Sequence, residues 1–392
     1  MAFLLIPALA MAQQFVIRGK LLDSASGEPV IAATIAIKGS YMGAISNDQG
    51  LFQLSAQKGQ VVSISSMGYK SIELPATDFD SALTTIYLDP DSEVLEEVVI
   101  SREPTEELLK RIIDKSRMRI DKPIMLTTYY REFSKHNDRT IKFSDGIIDY
   151  YVRGNRNTIA DLIVRQSRAV RITTPPEEFD SASAIHLQKR IAINYDMGFV
   201  YDAFIKGNRY VYYNFALSNR KGSDGREFTV IQVTPKPGSG EPLFTGIILF
   251  DANNELIYSI DLEYKATPGQ RTGEKRLKGY RFALQDQRFS AQYALVNDYY
   301  YLLHNTSQGS VSMYDQSGVS EVISARSDLV TLNFAQDAPG YDKKKLFRDR
   351  NLYNRGNQYS EPFWQRGGAI IMTPEEEEAV RALSKPDASA KP

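Results

Sequence analysis

The chain has 392 residues, enough at about 100–200 residues per domain for two or three folding units. Its 47 basic and 48 acidic side chains leave a formal charge of −1, which gives neither the field of a nucleic-acid binder nor the acidic excess of a disordered chain. With no cysteine, disulfides, thiolate metal sites, a cysteine nucleophile and a lipidated N-terminal cysteine are all excluded, and three histidines restrict metal and general-base chemistry. Apolar residues at 42% and charged ones at 24% are an ordinary balance for a chain that buries cores. No stretch reaches the ~18 apolar residues of a membrane-spanning helix.

Residues 1–12 are almost wholly apolar and end in Ala10-Met11-Ala12 before Gln13. An apolar run followed by an A-x-A site is what signal peptidase reads. The basic n-region is missing, so the signal is weak or the true start lies upstream; an opening strand or buried helix is the alternative. The reading favours export, with a mature chain from about Gln13.

Residues 13–90 alternate short β-rich runs with turn signals at the intervals of a sandwich. The runs are Phe15–Leu22, Thr34–Gly39, Leu51–Leu54, Val61–Ser65 and Thr85–Leu88, in a stretch with room for about seven short strands. Asp23-Ser24-Ala25-Ser26-Gly27-Glu28-Pro29 and Asn47-Asp48-Gln49-Gly50 are turns, and Gly50 can take the positive φ that closes the second. An Asp-Asn calcium loop is the sharper reading of these residues, but the acidic spacing of an EF-hand is absent. In order, Gly19, Asp23, Gly27-Glu28-Pro29-Val30, Ala33-Thr34-Ile35, Gly39-Ser40, Gly43, Asn47-Asp48-Gln49-Gly50-Leu51-Phe52 and Ile64-Ser65-Ser66-Met67-Gly68-Tyr69 resemble the carboxypeptidase-regulatory-like domain. That resemblance implies an immunoglobulin- or transthyretin-like sandwich of Gram-negative envelope proteins, often ahead of outer-membrane receptors, without the catalytic residues of zinc carboxypeptidases. Ala32 departs from the pattern, which usually has glycine there.

Residues 91–122 read as linker and helix. Asp89-Pro90-Asp91-Ser92-Glu93 ends the sandwich, and Leu95–Ile100 resembles the acidic-then-valine segment that follows this domain in outer-membrane receptors, near their TonB-contacting box. No serial alternation of a large membrane barrel follows, so Val98–Ile100 is taken as a short strand or linker. Pro104 opens a helix as its first residue, with Leu108, Leu109, Ile112 and Ile113 on one face and Glu106–Lys110 and Glu107–Arg111 as i,i+4 pairs on the other.

Residues 123–372 carry longer strands. Leu256, Tyr258, Ile260, Leu262 and Tyr264 share one face and Ser259, Asp261, Glu263 and Lys265 the other, the pattern of half-buried antiparallel sheet. Phe244–Phe250 precedes this strand across Asp251-Ala252-Asn253-Asn254. Further strands are expected over Thr127–Phe133, Ile141–Tyr151, Tyr210–Leu217, Phe228–Val233, Arg276–Leu284, Ala291–Leu303 and Val322–Phe334, with a helix over Pro176–Ile191. A curved, half-barrel-like antiparallel sheet with a few packing helices results. Arg226–Ile231, Phe244–Phe250 and Leu256–Ile260 resemble periplasmic lipoprotein-carrier proteins and uncharacterised domains that follow carboxypeptidase-regulatory-like domains. The tyrosine pairs Tyr129-Tyr130, Tyr150-Tyr151, Tyr212-Tyr213 and the triple Tyr299-Tyr300-Tyr301, among 23 tyrosines, are either strand formers or an aromatic platform for sugars or a lipid.

Between these strands and the end, Lys343-Lys344-Lys345, Arg348, Arg350 and Arg355 form a basic cluster, read as a solvated loop interrupted by Asp342 and Asp349, with anionic lipid or polysaccharide as the alternative partner. Phe363-Trp364 and Ile370-Ile371 are expected to pack back onto the sheet. Residues 373–392 are a C-terminal helix and frayed tail: Thr373-Pro374-Glu375-Glu376 supplies cap, N1 proline and capping-box glutamate.

The motifs of chemistry are missing. His136, His186 and His304 are each followed at i+3 by Arg139, Lys189 and Ser307, not by a carboxylate, so neither HxxE nor HExxH occurs. There is no G-x-S-x-G elbow or Walker A loop. A scattered triad is not decided by spacing; His304, at a strand end, and His136, in a polar turn, read as exposed, and His186 sits on the expected helix. No catalytic, cofactor or metal residue is assigned. The chain reads as mainly β and as an exported, non-enzymatic envelope protein, periplasmic or outer-membrane associated and without a cofactor. Its sandwich is an interaction or spacer module, and its larger domain binds an apolar ligand, a glycan or a protein partner. A hydrolase with a scattered site is the alternative.

Overall fold

A computed structural model of the chain describes residues 14–38, 43–66, 68–79, 83–91, 96–98, 103–154, 160–171, 195–222, 225–238, 242–267, 274–277, 280–314, 318, 320–336, 340–349, 351–358 and 370–384. The signal-like start, the Pro176–Ile191 helix with His186, Arg350, Phe363-Trp364 and the end of the tail lie outside these residues. The chain divides into two units, residues 1–90 with 362–371 and residues 91–361 with 372–392.

In the first unit, alternation of apolar and polar residues builds two sheets. One has the order β4 (Leu51–Gln57), β1 (Gln14–Asp23), β7 (Thr84–Leu88); the other has β3 (Gly43–Ile45), β2 (Thr34–Ile37), β5 (Val61–Ser65), β6 (Ile72–Pro75). β1 pairs antiparallel with β4 and parallel with β7. Along β4 the side chains at Phe52, Leu54 and Ala56 turn inward, and they share one core with Ile17, Leu21, Ile35, Val62, Ile64 and Leu88 from both sheets, which makes the unit a sandwich. Phe52 meets Phe79 edge-on, with ring centroids 6.1 Å apart.

The turn residues serve the backbone. Asn47 Oδ1 accepts the N–H groups of Gln49 and Leu51, each at 2.9 Å, and Gly50 has φ +74° in a place where a Cβ would stand 2.3 Å from the Leu21 carbonyl oxygen. Asp23 Oδ1 accepts from the N–H groups of Ala25 and Ser26 at 2.8 and 2.7 Å. Ala32 sits at φ +55°, a conformation in which glycine is free of strain. Asn47 also donates from Nδ2 to the Ile371 carbonyl at 3.1 Å, and Ile370 is buried; these two residues fall in the first unit and not on the larger sheet.

The second unit is one large open antiparallel sheet. Its strands in chain order are β8 (Glu96–Val98), β9 (Ile124–His136), β10 (Arg139–Val152), β11 (Ala160–Arg171), β12 (Tyr213–Lys221), β13 (Glu227–Pro235), β14 (Thr245–Asp251), β15 (Ile257–Lys265), β16 (Lys275–Leu277), β17 (Tyr280–Val296), β18 (Tyr299–Tyr314) and β19 (Ser320–Gln336). The spatial order is β11-β10-β9-β19-β18-β17-β15-β14-β13-β12-β8, with β16 beside β17. The acidic-valine segment thus ends as a three-residue edge strand on β12.

Helix α1 (Thr105–Arg119) buries Leu108, Leu109, Ile112 and Ile113 as the periodicity predicts, with Pro104 at the N-cap, one residue outside the helix. Arg111 meets Glu103 and Glu255. Helix α2 (Tyr195–Phe204), unheralded by periodicity, is fixed to one sheet face by Phe199, stacked on Phe289 at 4.8 Å and edge-on to Phe244 at 5.1 Å. Helix α3 (Pro374–Ser384) lies near the opposite face, where Met372 and Val380 pack against Phe133 and Phe143.

Three strand expectations are corrected. Ala291–Leu303 is two strands, because Asn297 and Asp298, with φ +48° and +66°, form a two-residue hairpin turn between Val296 and Tyr299. Tyr210–Tyr212 belong to a 3-10 turn, Lys206–Tyr212, and the strand begins at Tyr213. On β15 the alternation holds for Ile260, Leu262 and Tyr264, but a bulge at the β14 pairing turns Tyr258 to the other face, against Phe228.

Candidate functional site

The face of the sheet toward α3 carries its charge in a cross-strand row. Register places Arg168 of β11 opposite Asp145 of β10, Asp145 opposite Arg131 of β9, Arg131 opposite Asp328 of β19, and Asp328 opposite Thr306 of β18. Arg131 is 0% exposed, Asp145 0% and Asp328 1%. Charges this deep persist when paired and hydrogen-bonded, and here they are. Arg131 donates from Nε and Nη2 to Asp328 Oδ2 at 3.3 and 3.0 Å and from Nη1 to Glu376 Oε2 of α3 at 3.2 Å. Asp328 Oδ1 accepts from Thr306 Oγ1 at 2.9 Å and from Arg326 Nη2 at 3.1 Å, and its Oδ2 accepts from Arg326 Nε at 3.1 Å. Asp145 accepts from Arg168 Nε and from the Tyr129 hydroxyl, both at 2.9 Å.

The electrostatics follow from that packing. Burial pushes the Asp328 carboxyl up, but Arg326 and Arg131 outweigh it and hold the group at about 2. Burial wins at Asp145, which is raised despite Arg168. Asp328, its neighbours Asp145 and Glu376, and the three arginines sum to zero charge.

His304 is not at a strand end. It lies inside β18, buried, on the same face as Asp328, because the strand starts at Tyr299 and runs on to Tyr314. Its Nε2 bonds Gln292 Oε1 at 3.0 Å, Gln292 passes its own amide N–H to the Tyr258 hydroxyl at 2.9 Å, and His304 Nδ1 has no partner. Burial pulls its pKa down to about 4, so the ring is neutral near pH 7. His136, by contrast, ends β9 and reaches Glu321 at 3.4 Å. Among the described residues His304 has no hydrogen-bonded serine or carboxylate, and no group of three or more His, Asp or Glu side chains is placed to hold a metal ion.

On the other face, Glu132 of β9 accepts from the Tyr130 hydroxyl at 2.8 Å and from Ser144 Oγ at 2.7 Å. Of the tyrosines that suggested a platform, Tyr129, Tyr130, Tyr150, Tyr151, Tyr213, Tyr300 and Tyr301 are buried, Tyr299 is half-buried and Tyr212 is exposed. Buried rings count against a sugar-stacking surface built from these strands. The Lys343–Lys345 turn, capped by Asp342 Oδ1 on the Lys344 N–H, is exposed, as are Arg348 and Arg355.

Residues 17–100 match the family model described as the CarboxypepD_reg-like domain. The first unit is a CarboxypepD_reg-like domain. Of the CarboxypepD_reg-like positions, Asn47 and Gly50 close a turn, whereas Gly19 lies in β1, where a Cβ would stand 2.4 Å from the Phe52 ring. The TonB-dependent receptor SusC of Bacteroides thetaiotaomicron is similar, 41% identical over 91 residues that are 23% of this chain and 9% of the receptor. The chain therefore spans less than a tenth of that curated relative. Among solved structures, lipovitellin, studied for its lipid–protein interactions, is 9% identical with a TM-score of 0.26, over 62% of this chain and 28% of its own. A LolA superfamily protein from Nitrosomonas europaea is 12% identical with a TM-score of 0.18, over 61% of this chain and 97% of its own.

Proposed function

We propose that the protein is an exported, non-enzymatic component of a bacterial cell envelope whose CarboxypepD_reg-like domain is an interaction or spacer module and whose large sheet binds a protein partner. The observation that carries the location is the 41% identity of the first unit to part of a TonB-dependent receptor, with the signal-like residues 1–12 ahead of it. The preference for a protein over a sugar or an apolar ligand rests on the second unit. Most of the aromatic rings that a sugar would stack on are buried, and the face beneath α2 is filled by Phe199 on Phe289. The exposed charge of the second unit, at Lys343–Lys345, Arg348 and Arg355, is of the kind that serves specificity between proteins.

The test is fractionation of the protein's own host, followed by native mass spectrometry of the envelope fraction before and after organic extraction. Co-purification with a defined protein from the envelope is the expected result. A mature chain found in the cytoplasm overturns the location, and a lipid or glycan lost on extraction overturns the choice of ligand.

A further inference from the structure

Residues 343–349 and 351–358 run beside β11, the last strand on that side of the large sheet, and hold two short 3-10 turns, Lys343–Lys345 and Leu352–Arg355. The backbone is stapled to the strand at several points. The Phe347 N–H donates to the Leu162 carbonyl at 2.8 Å, and Ser167 exchanges both of its backbone hydrogen bonds with Gln358, at 3.0 and 2.8 Å. The Ser167 hydroxyl donates to the Gly356 carbonyl at 2.8 Å, and the Ala169 N–H to Asn357 Oδ1 at 2.9 Å. Phe347 and Leu352 are buried. The segment is therefore a surface of defined shape, although it is neither strand nor long helix.

On that backbone Lys343, Lys344, Lys345, Arg348 and Arg355 are exposed. Among the described residues none of the five has a carboxylate within the 4.0 Å of an ion pair. The carboxylates nearest in the chain are taken by neutral donors: Asp342 Oδ1 accepts from the Lys344 N–H at 2.9 Å, and Asp349 Oδ1 from the Asn354 amide at 3.1 Å. Those of the adjoining strands are taken by other arginines, Asp145 by Arg168, Asp149 by Arg165 and Asp161 by Arg153. A chain of net charge −1 thus carries a local surface of unpaired cations. Because the backbone beneath them is already ordered, a partner does not have to order it.

We propose that this segment is the docking surface for an acidic stretch of a protein partner. The inference rests on the reading of the second unit as protein-binding and names the chemistry of the partner. Two features favour discrete carboxylates over a continuous anionic surface. Asp342 and Asp349 are themselves exposed among the cations. A charged bilayer or a polyanion lies against them as well as against the lysines, whereas a protein sets its carboxylates only where the cations stand. Phe347 and Leu352 are turned inward, so they do not supply the apolar insertion that secures a surface segment in a bilayer. The contact is electrostatic, which steers encounter and makes binding sensitive to salt.

The experiment uses the full chain and a short fluorescein-labelled peptide of alternating glutamate and serine, followed by fluorescence anisotropy. The variant Lys344→Glu/Lys345→Glu/Arg348→Glu is compared with the parent and with Arg18→Glu/Lys58→Glu/Lys70→Glu, the same change of charge on exposed residues of the first unit. The first variant is expected to bind at least about tenfold more weakly than the parent, and the second within about twofold of it. Arg348→Glu/Arg355→Glu shows the same direction of loss and replaces the first variant if that one does not fold. Binding by the parent weakens as salt rises from about 10 mM to about 150 mM, where the screening length falls from about 30 Å to about 8 Å. Equal losses in the two triple variants, or no binding by the parent at the lower salt, overturn the proposal. So does capture of the chain by phosphatidylglycerol vesicles with no binding of the peptide. A host envelope protein that co-purifies equally with the parent and the first variant keeps the protein-binding reading and overturns this surface. Peptide binding that is lost on charge reversal, in a chain with which no protein co-purifies, does the reverse.

Discussion

At the scale of residues, two positions show how sequence pattern and conformation conspire. Ala32 interrupts the glycine of the family pattern and takes φ +55°, a conformation that costs an L-residue with a Cβ about 1–2 kcal/mol. Ala32→Gly is therefore expected to raise stability by about 1 kcal/mol, part of the relief being lost to the added chain entropy of glycine. A urea midpoint that fell or stayed would show that the strain is not relieved. His304 gives a pH dependence of defined sign. Its ordinary value of 6.5 applies to the unfolded chain, and burial lowers it to about 4 in the fold. Between these values the unfolded chain holds a proton that the native one lacks, so stability falls as pH drops from 6.5 toward 4, by about 3 kcal/mol in all. His304→Gln removes that proton, and the difference between the two unfolding curves, measured at pH 7 and near pH 4.5, should shrink toward zero in the variant's favour as pH falls. An unchanged difference across the window would contradict it. Asp328 acts lower: held at about 2, it stabilises above its ordinary value of 3.8 and loses that share as pH falls through the range between.

At the scale of elements, α3 is the most legible helix and the most testable. Thr373 Oγ1 accepts from the Glu376 N–H at 3.2 Å and the Glu376 carboxylate returns the bond, as the Thr-Pro-Glu-Glu run predicts. Thr373→Ala should cost about 1 kcal/mol, read as faster exchange in α3 with an unchanged midpoint for the sheet. A midpoint that shifts with it would mean that helix and sheet open as one body. Strands were legible where polarity alternates, as on β4 and most of β15, and also on β10, which was expected over Ile141–Tyr151. β10 is buried without a break from Phe143 to Val152, its polar Ser144, Asp145 and Asp149 included, and β11 went unrecognised. The hairpin turns at Asn137-Asp138 and Asn297-Asp298 did carry a signal. Asparagine and aspartate tolerate the positive φ of both central positions, and the second pair, weighed as a turn, would have moved His304 into mid-strand. The charged row had no such local mark: each member is an ordinary strand residue until register sets it beside the next.

At the scale of the whole molecule, the sandwich was legible because its short strands alternate and its turns carry glycine, asparagine and aspartate. The sheet was legible as a kind of structure but not as an order of strands. Nothing in a strand's own pattern says that β9 will lie between β10 and β19. That placement joins Arg131 to Asp328 across 197 residues of chain, and it has a consequence in time. The middle of the sheet cannot close until its last strand is available, so its formation requires a large loop to be drawn together before the contacts that reward it exist. β9 and β18 then spend the interval as open edges, the condition in which strands join the wrong neighbour. Pulsed hydrogen exchange during refolding should find the β9–β10 hairpin protected early and the β9–β19 ladder late, and simultaneous protection of both would refute that order. A chain assembled this way depends on being kept from other chains while it waits, and the seam beside Arg131 is where that wait ends.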